Sequence, residues 1–264
     1  MKTFCLTVDL DRDSNISIPG QVSAGSLDMG QGAAPRFSSS GKGLKVLSGL
    51  LDEIGIKATF FAEGRTIRNI GTSEHLVGHE IGIHGFDHED MTLLSMEDKK
   101  DVLKRSIGMV EDITGRVPVC SRAPYMKADA ELLEMLPDLG IRYDSSFYAD
   151  IEGQMAPFKI GDIYEVPVPE GRDGDGRKMS AYLWPMHESK RVPSDYIDMA
   201  STIDEGIFNI ATHTWHMVES RIDGPMSFER IETNTENVRN VIVSLLDMGF
   251  HPMTIPEAVR RFLD

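Results

Sequence analysis

The sequence predicts an α/β fold, a closed or nearly closed (β/α) barrel of about seven strands with helices between them. Three observations carry this. The chain has 264 residues, 41% hydrophobic and 26% charged, which suits one large core. Short apolar runs alternate with helical periodicity from end to end, the order expected of a parallel sheet. Polar clusters fall where strands stop: Asp9 with Asp11, His84 with His88, Arg122, Asp144 and His213. Chemistry in such barrels sits at the C-terminal strand ends. No Pro/Ser-rich linker divides the chain, so a single domain over 1–264 is expected.

Residues 3–9 read as a buried strand that exits into acids, Val8-Asp9-Leu10-Asp11-Arg12-Asp13. Strand side chains alternate, so Asp9 and Asp11 face the same way. Two carboxylates there are costly to bury unless a cation joins them; the plainer reading is that they mark the exit into solvent. From Ser14 to about Ser40 no periodicity is found, and Gly20, Gly25, Gly30 and Gly32 suggest an irregular loop. A lid and plain disorder are both compatible with it.

Leu44, Leu47, Leu50, Leu51 and Ile54 give helical spacing over Gly43–Gly55, with Gly55 as a left-handed stop. Lys57–Ala62 is the second strand and Ile81–His84 the third. Ser95 to Thr114 is a helix opened by a Ser95/Asp98 capping pattern. Val117–Cys120 is the fourth strand, running into Ser121-Arg122-Ala123-Pro124-Tyr125, and Asp129–Leu139 is a helix closed by Gly140. Ile141–Tyr143 is a short fifth strand ending at Asp144.

Farther on, Ile163–Val168 and Met179–Leu183 look like strands, with a hairpin loop over 171–176. Ser194 opens a helix to about Ile203, and Phe208–Thr212 is a strand delivering His213-Thr214-Trp215-His216. Ser227–Met248 is a long amphipathic helix stopped by Gly249. His251–Thr254 is a last strand, and Pro256 opens the final helix.

Composition narrows the partners. The net charge is −15 and no basic stripe appears, which argues against a nucleic-acid partner. No apolar run approaches the ~18 residues of a membrane span, so no membrane partner is expected. Cys5 and Cys120 sit in apolar runs and read as reduced core thiols. The N-terminus reads as a strand rather than the apolar segment of an export signal, so a cytoplasmic setting is expected.

The central stretch is Ile81-Gly82-Ile83-His84-Gly85-Phe86-Asp87-His88-Glu89. If the chain turns into a helix after His84, the i and i+4 imidazoles converge on one point. Imidazole suits zinc and similar divalent ions.

These residues, in this order, resemble the polysaccharide deacetylase family with the NodB homology domain, carbohydrate esterase family 4. Thr7-Val8-Asp9-Leu10-Asp11 looks like its Thr-Phe-Asp-Asp-Gly, and Gly78 to Glu89 looks like its paired-His segment. Arg122-Ala123-Pro124-Tyr125 looks like its Arg-Pro-Pro-Tyr, Tyr143-Asp144-Ser145-Ser146 falls at its fourth segment, and His213-Thr214-Trp215 looks like its late His segment. Gly55 to Phe61 is family-like as well. The likeness spans about residues 3–255. Two departures stand out: adjacent acids become Asp9-Leu10-Asp11, and Gly85 replaces a Ser/Thr. Both resemble the branch with peptidoglycan-deacetylase-like members and metal-free, allantoinase-like members.

The resemblance implies a distorted (β/α)7, NodB-like barrel that hydrolyses an N-acetyl amide on a carbohydrate, and members of this branch resemble homo-oligomers. It implies Asp11, His84 and His88 as ligands of a divalent metal, zinc first, with water and substrate in the open positions. Asp9 would be the general base, with Arg122 pairing with it as a fork. The Tyr125 N–H would stabilise the oxyanion. His213, preferred over His216, would protonate the leaving amine, with Asp144 as its partner. Trp215 would stack on a sugar or belong to the core. His79, His187 and His251 read as structural. A cyclic-ureide amidohydrolase and a non-catalytic carbohydrate-binding protein are the rival functions.

Overall fold

Strand β1 (Lys2–Leu10) organises the molecule and is buried from Thr3 onward. The computed structural model describes residues 1–13, 35–71, 73–153 and 155–263. Most of the loop expected over Ser14–Ser40, with the lid role considered for it, lies outside the described residues.

After β1 comes α1 (Ser38–Ile54), which buries Leu44, Leu47, Leu50 and Leu51. It begins five residues before the expected Gly43. The cap comes from far away in sequence: the Asp13 carboxylate accepts the N–H groups of Ser39 and Ser40, an arrangement typically worth ~1 kcal/mol. Gly55 ends the helix at φ 79°, as expected. Then follow β2 (Thr59–Ala62), α2 (Gly64–Ile70), β3 (Glu80–Ile83) and α3 (Met96–Thr114). Ser95 caps α3 by accepting the Asp98 N–H and bonding its carboxylate.

Strand β4 (Cys120–Ser121) is shorter than expected, and Val117 is exposed. The predicted helix after it divides into α4 (Ala130–Met135) and a 3-10 turn at Pro137–Leu139, because Pro137 lacks the N–H that would continue the α-helix. β5 (Tyr143–Asp144), β6 (Tyr148–Asp150), β7 (Phe158–Ile160), β8 (Ile163–Glu165), β9 (Val168–Arg172) and β10 (Lys178–Ser180) follow. The run read as one strand over 163–168 is thus two, parted at Val166-Pro167. The expected turn joins the antiparallel pair β9 and β10.

The remainder is α5 (Trp184–His187), α6 (Pro193–Ser201), β11 (Gly206–His213), β12 (Glu219–Ser220), β13 (Gly224–Pro225), α7 (Phe228–Asp247), β14 (His251–Pro252) and α8 (Ile255–Leu263).

The main sheet runs β11-β1-β2-β3-β4-β5-β8-β7, with β14 also on β1. From β11 to β8 every neighbouring pair is parallel, and β7 is antiparallel. The α/β expectation holds, and the sheet is a strongly curled half-barrel. Among the described residues no backbone ladder closes it. Between the β8 and β11 sides a side chain does the joining: Asn209 donates to the Val166 carbonyl and to Ser145 Oγ, both at 2.9 Å. Most of the apolar core lies between sheet and helices. A smaller cluster inside the curl holds Cys5, Phe61, Cys120 and Val259, and both thiols are free and buried.

Close packing ties α1 to the strand-end face. A Cβ on Gly43 would lie 1.8 Å from the Thr214 carbonyl oxygen, so only glycine lets the helix rest there.

Candidate active site and metal centre

Parallel strands deliver their C-terminal residues to one rim, and most of the polar side chains singled out above meet there. A cavity of about 420 Å³ is lined by Asp9, Asp11, His84, His88, Tyr125 and His213, among others. In the ladder, Asp9 stands opposite both His213 and Phe61. The period of two then brings Asp11 to the same side of the chain as Asp9.

Asp11, His84 and His88 each offer a ligand atom, all within 4.8 Å of one another. The two imidazoles do not converge through a helical turn. Residues 84–90 form no helix; Gly85 (φ 68°) and His88 (φ 55°) turn left-handed instead and fold the loop back. Gly85 suits this backbone, and a Cβ there would lie 2.9 Å from Glu89 Oε2 and 3.1 Å from Pro124 Cγ. The His84 Nδ1–H donates to the Arg122 carbonyl at 2.8 Å, leaving Nε2 as the lone-pair nitrogen. Burial, then His84, Arg12 and His213, hold His88 well below the ordinary imidazole range, so it is neutral and free to ligate.

Asp11 is the misfit that a cation would resolve. It is buried, Oδ1 has no hydrogen-bond partner among the described residues, and Oδ2 lies 3.5 Å from His88 Nε2 and 4.0 Å from His213 Nε2. Burial, with Asp9 and Glu63 nearby, pushes its carboxyl well above the usual range. An orphaned carboxylate beside two neutral imidazoles is a donor set that fits a divalent ion.

Arg122 is buried and spent on several partners. Nη1 donates to Asp9 Oδ1 at 2.9 Å, Nη2 to Thr7 Oγ1 and Ser145 Oγ, and Nε to the Ser145 carbonyl. Its guanidinium stacks over Phe61, 4.5 Å from the ring centre. The fork expected on Asp9 is therefore a single bond, because the other arms hold β1 and the Ser145 turn. The second Asp9 oxygen accepts the Tyr182 hydroxyl. Burial alone would raise the Asp9 carboxyl; Arg122, then His84 and His213, then Tyr182 outweigh it and hold it far below the usual range.

His213 reaches the cavity, but Asp144 does not support it. Asp144 accepts the Ser121 hydroxyl and lies opposite Glu165 in the ladder, so it faces its neighbours within the sheet and does not line the cavity. Tyr182 stands in its place, its oxygen 3.2 Å from His213 Nε2, while His213 Nδ1 has no partner among the described residues. Burial drives His213 down to about 3, so it rests neutral. The Tyr125 N–H donates to no described group, and its backbone is left-handed (φ 60°), strain of the kind that accumulates at functional sites. Its ring packs edge-on against His88, centroids 4.5 Å apart.

His216 is buried against Glu188, donating from Nε2 to Oε1 at 2.9 Å. Trp215 is buried as well and stacks on His216, while still lining the cavity. His79 accepts the Ala58 N–H, His187 bonds Asn234 and Thr212, and His251 is exposed.

Sequence reasoning missed Tyr182. It also missed Arg12, buried between Glu63 and Asp87 under the cavity wall. Tyr182 sits in an irregular stretch with no motif around it; its bridge to Ala211 beside His213 is visible only in three dimensions.

A family description, polysaccharide deacetylase, matches residues 42–143. Over that stretch the chain is similar to the polysaccharide deacetylase family. Its CE4/NodB-like fold agrees: a putative polysaccharide deacetylase from Mycobacterium smegmatis superposes with a TM-score of 0.66 at 21% identity, covering 99% of this chain and 91% of that one. A CE4 family pseudoenzyme from Bacillus anthracis gives 0.58 at 16%, covering 98% and 66%.

In sequence, a peptidoglycan deacetylase-like protein, FGM2, of Gibberella zeae is 33% identical over 53% of this chain and 42% of its own length. A peptidoglycan deacetylase of Helicobacter pylori is 28% identical over 46% and 42%. The chain thus spans less than half the length of these relatives. Within the fold, Asp11, His84 and His88 form a possible metal-binding triad. Among the described residues no helix is long and apolar enough to cross a membrane.

Proposed function

We propose that this chain is a metal-dependent hydrolase that removes N-acetyl groups from an amino sugar or polysaccharide. The observation that supports it best is Asp9, held ionised by Arg122, in the same cavity as the Asp11/His84/His88 set.

Asp11, His84 and His88 would hold the divalent ion, zinc in the first instance. Bound there, such an ion would acidify water and polarise the acyl carbonyl. Asp9 takes the proton of the attacking water, a role that needs an ionised, aimed carboxylate. Arg122 and Tyr182 aim it, one on each oxygen. The Tyr125 N–H would donate to the developing oxyanion. His213 gives a proton to the leaving nitrogen, and its rest state as a neutral imidazole means that it must first gain one during the cycle. Asp144 has no direct part; it positions Ser121 within the sheet.

Pseudoenzymes occur among proteins of this fold, yet retention of the aimed base beside the ligand set favours turnover over bare sugar binding. The test is acetate release from N-acetylated sugars, with and without added zinc. Zinc-dependent release is expected. Full activity in a preparation free of divalent metal would overturn the proposal, and turnover of a cyclic ureide instead would assign the chain to the rival amidohydrolase class.

A further inference from the structure

The charged side chains lining the cavity are nearly all committed. Asp9 is held by Arg122 and Tyr182, Asp13 by the amides of Ser39 and Ser40, and Arg12 by Glu63 and Asp87. Asp11 belongs to the ligand set. Arg221 is different. It lines the same cavity and is exposed, and among the described residues its guanidinium makes no ion pair or hydrogen bond. The chain has 42 acidic residues against 27 Lys and Arg, so a carboxylate partner would be easy to find.

Its base, by contrast, is fixed. The Arg221 N–H donates to Glu188, which also accepts the Ser220 hydroxyl and His216 Nε2–H. Glu188 is held down at about 2: burial opposes this, but His216, Ser220 and the Arg221 N–H outweigh it. A rigid anchor therefore presents a free guanidinium at the wall of a cavity of about 420 Å³. Ligand pockets generally fall at roughly 300–1,000 Å³, so there is room for more than an acetamide group.

We propose that Arg221 recognises a carboxylate carried by the substrate close to its acetamido group. The preferred substrate is then an anionic N-acetyl amino sugar rather than a neutral one. A guanidinium fits a carboxylate through two parallel N–H donors, which fixes orientation as well as charge. This assignment rests on the deacetylase reading of the cavity, and the experiment separates the two.

N-acetylmuramic acid and N-acetylglucosamine share one acetamide and differ by a lactyl carboxylate. Binding of each, by calorimetry at pH 7, and acetate release from each are measured on wild type, Arg221→Ala and Arg221→Lys. Wild type is expected to bind the acid about tenfold more tightly, the scale of one hydrogen bond to a charged group. The preference should collapse toward one in Arg221→Ala, recover in part in Arg221→Lys, and weaken with added salt. Equal affinities in wild type, or an unchanged preference in Arg221→Ala, overturn the inference even if both sugars are deacetylated. Preference without acetate release from either sugar supports the carboxylate site and counts against the deacetylase reading. Failure to bind either probe overturns both.

Discussion

Tyr182 lies between Asp9 and His213, its hydroxyl donating to Asp9 Oδ2 while its oxygen stands 3.2 Å from His213 Nε2. One phenol thus orders the proposed base and the proposed acid, and backbone pairing of its own segment with β11 and β9, rather than any motif, puts it there. The Tyr182→Phe variant keeps the ring and removes the bridge. Asp9 loses a donor that favours its ionised form, so its pKa rises and the acidic limb of the kcat/KM profile moves to higher pH. We expect about a tenfold loss at neutral pH; an unmoved limb would remove Tyr182 from the site.

Asp9→Asn leaves the proposed ligands in place and removes the base. Metal content by elemental analysis should stay near that of wild type, while acetate release falls by at least ~100-fold. Near-normal turnover would reassign the base.

His84→Ala removes one of the proposed ligands and the imidazole that bonds the Arg122 carbonyl. Metal content should fall to a small fraction of wild type, because a three-ligand site rarely survives as two. Metal retained at the wild-type level would place the ion elsewhere.

His187 supplies a pH dependence of stability away from the cavity. Burial holds its imidazole down to about 4, with the Asn234 bond opposing only in part. An unfolded chain binds that proton below about 6.5, whereas the folded chain refuses it until about 4. The folded state therefore loses stability as pH falls through this window, by up to about 3 kcal/mol. Urea unfolding from pH 7 to 4 should show this slope, and His187→Gln should flatten it. An equal slope in the variant would refute the assignment.

Much of the site could be read from the chain. Asp9, His84 and His213 each come at the end of an apolar run, Asp11 and His88 follow two and four residues later, and a parallel sheet sends such strand ends to one rim. Asp144 follows the same rule and still misses the cavity, because Ser121 and Glu165 engage it laterally from the adjoining strands. The paired-His turn was half legible: spacing gave the two candidate ligands, but Gly85 and His88 reach it through left-handed backbone rather than a helix. Tyr182 and the Asp13 cap were out of reach, since each depends on residues far apart in sequence.

The stitching of the curl by Asn209 has an outcome for the engineer. Asn209 also accepts the Thr7 hydroxyl, and Thr7 and Ser145 both hold Arg122. A residue that touches no ligand therefore sets how firmly the guanidinium behind Asp9 is seated. Libraries built only around the rim would leave out an amide through which the stiffness of the proposed active-site floor can be tuned.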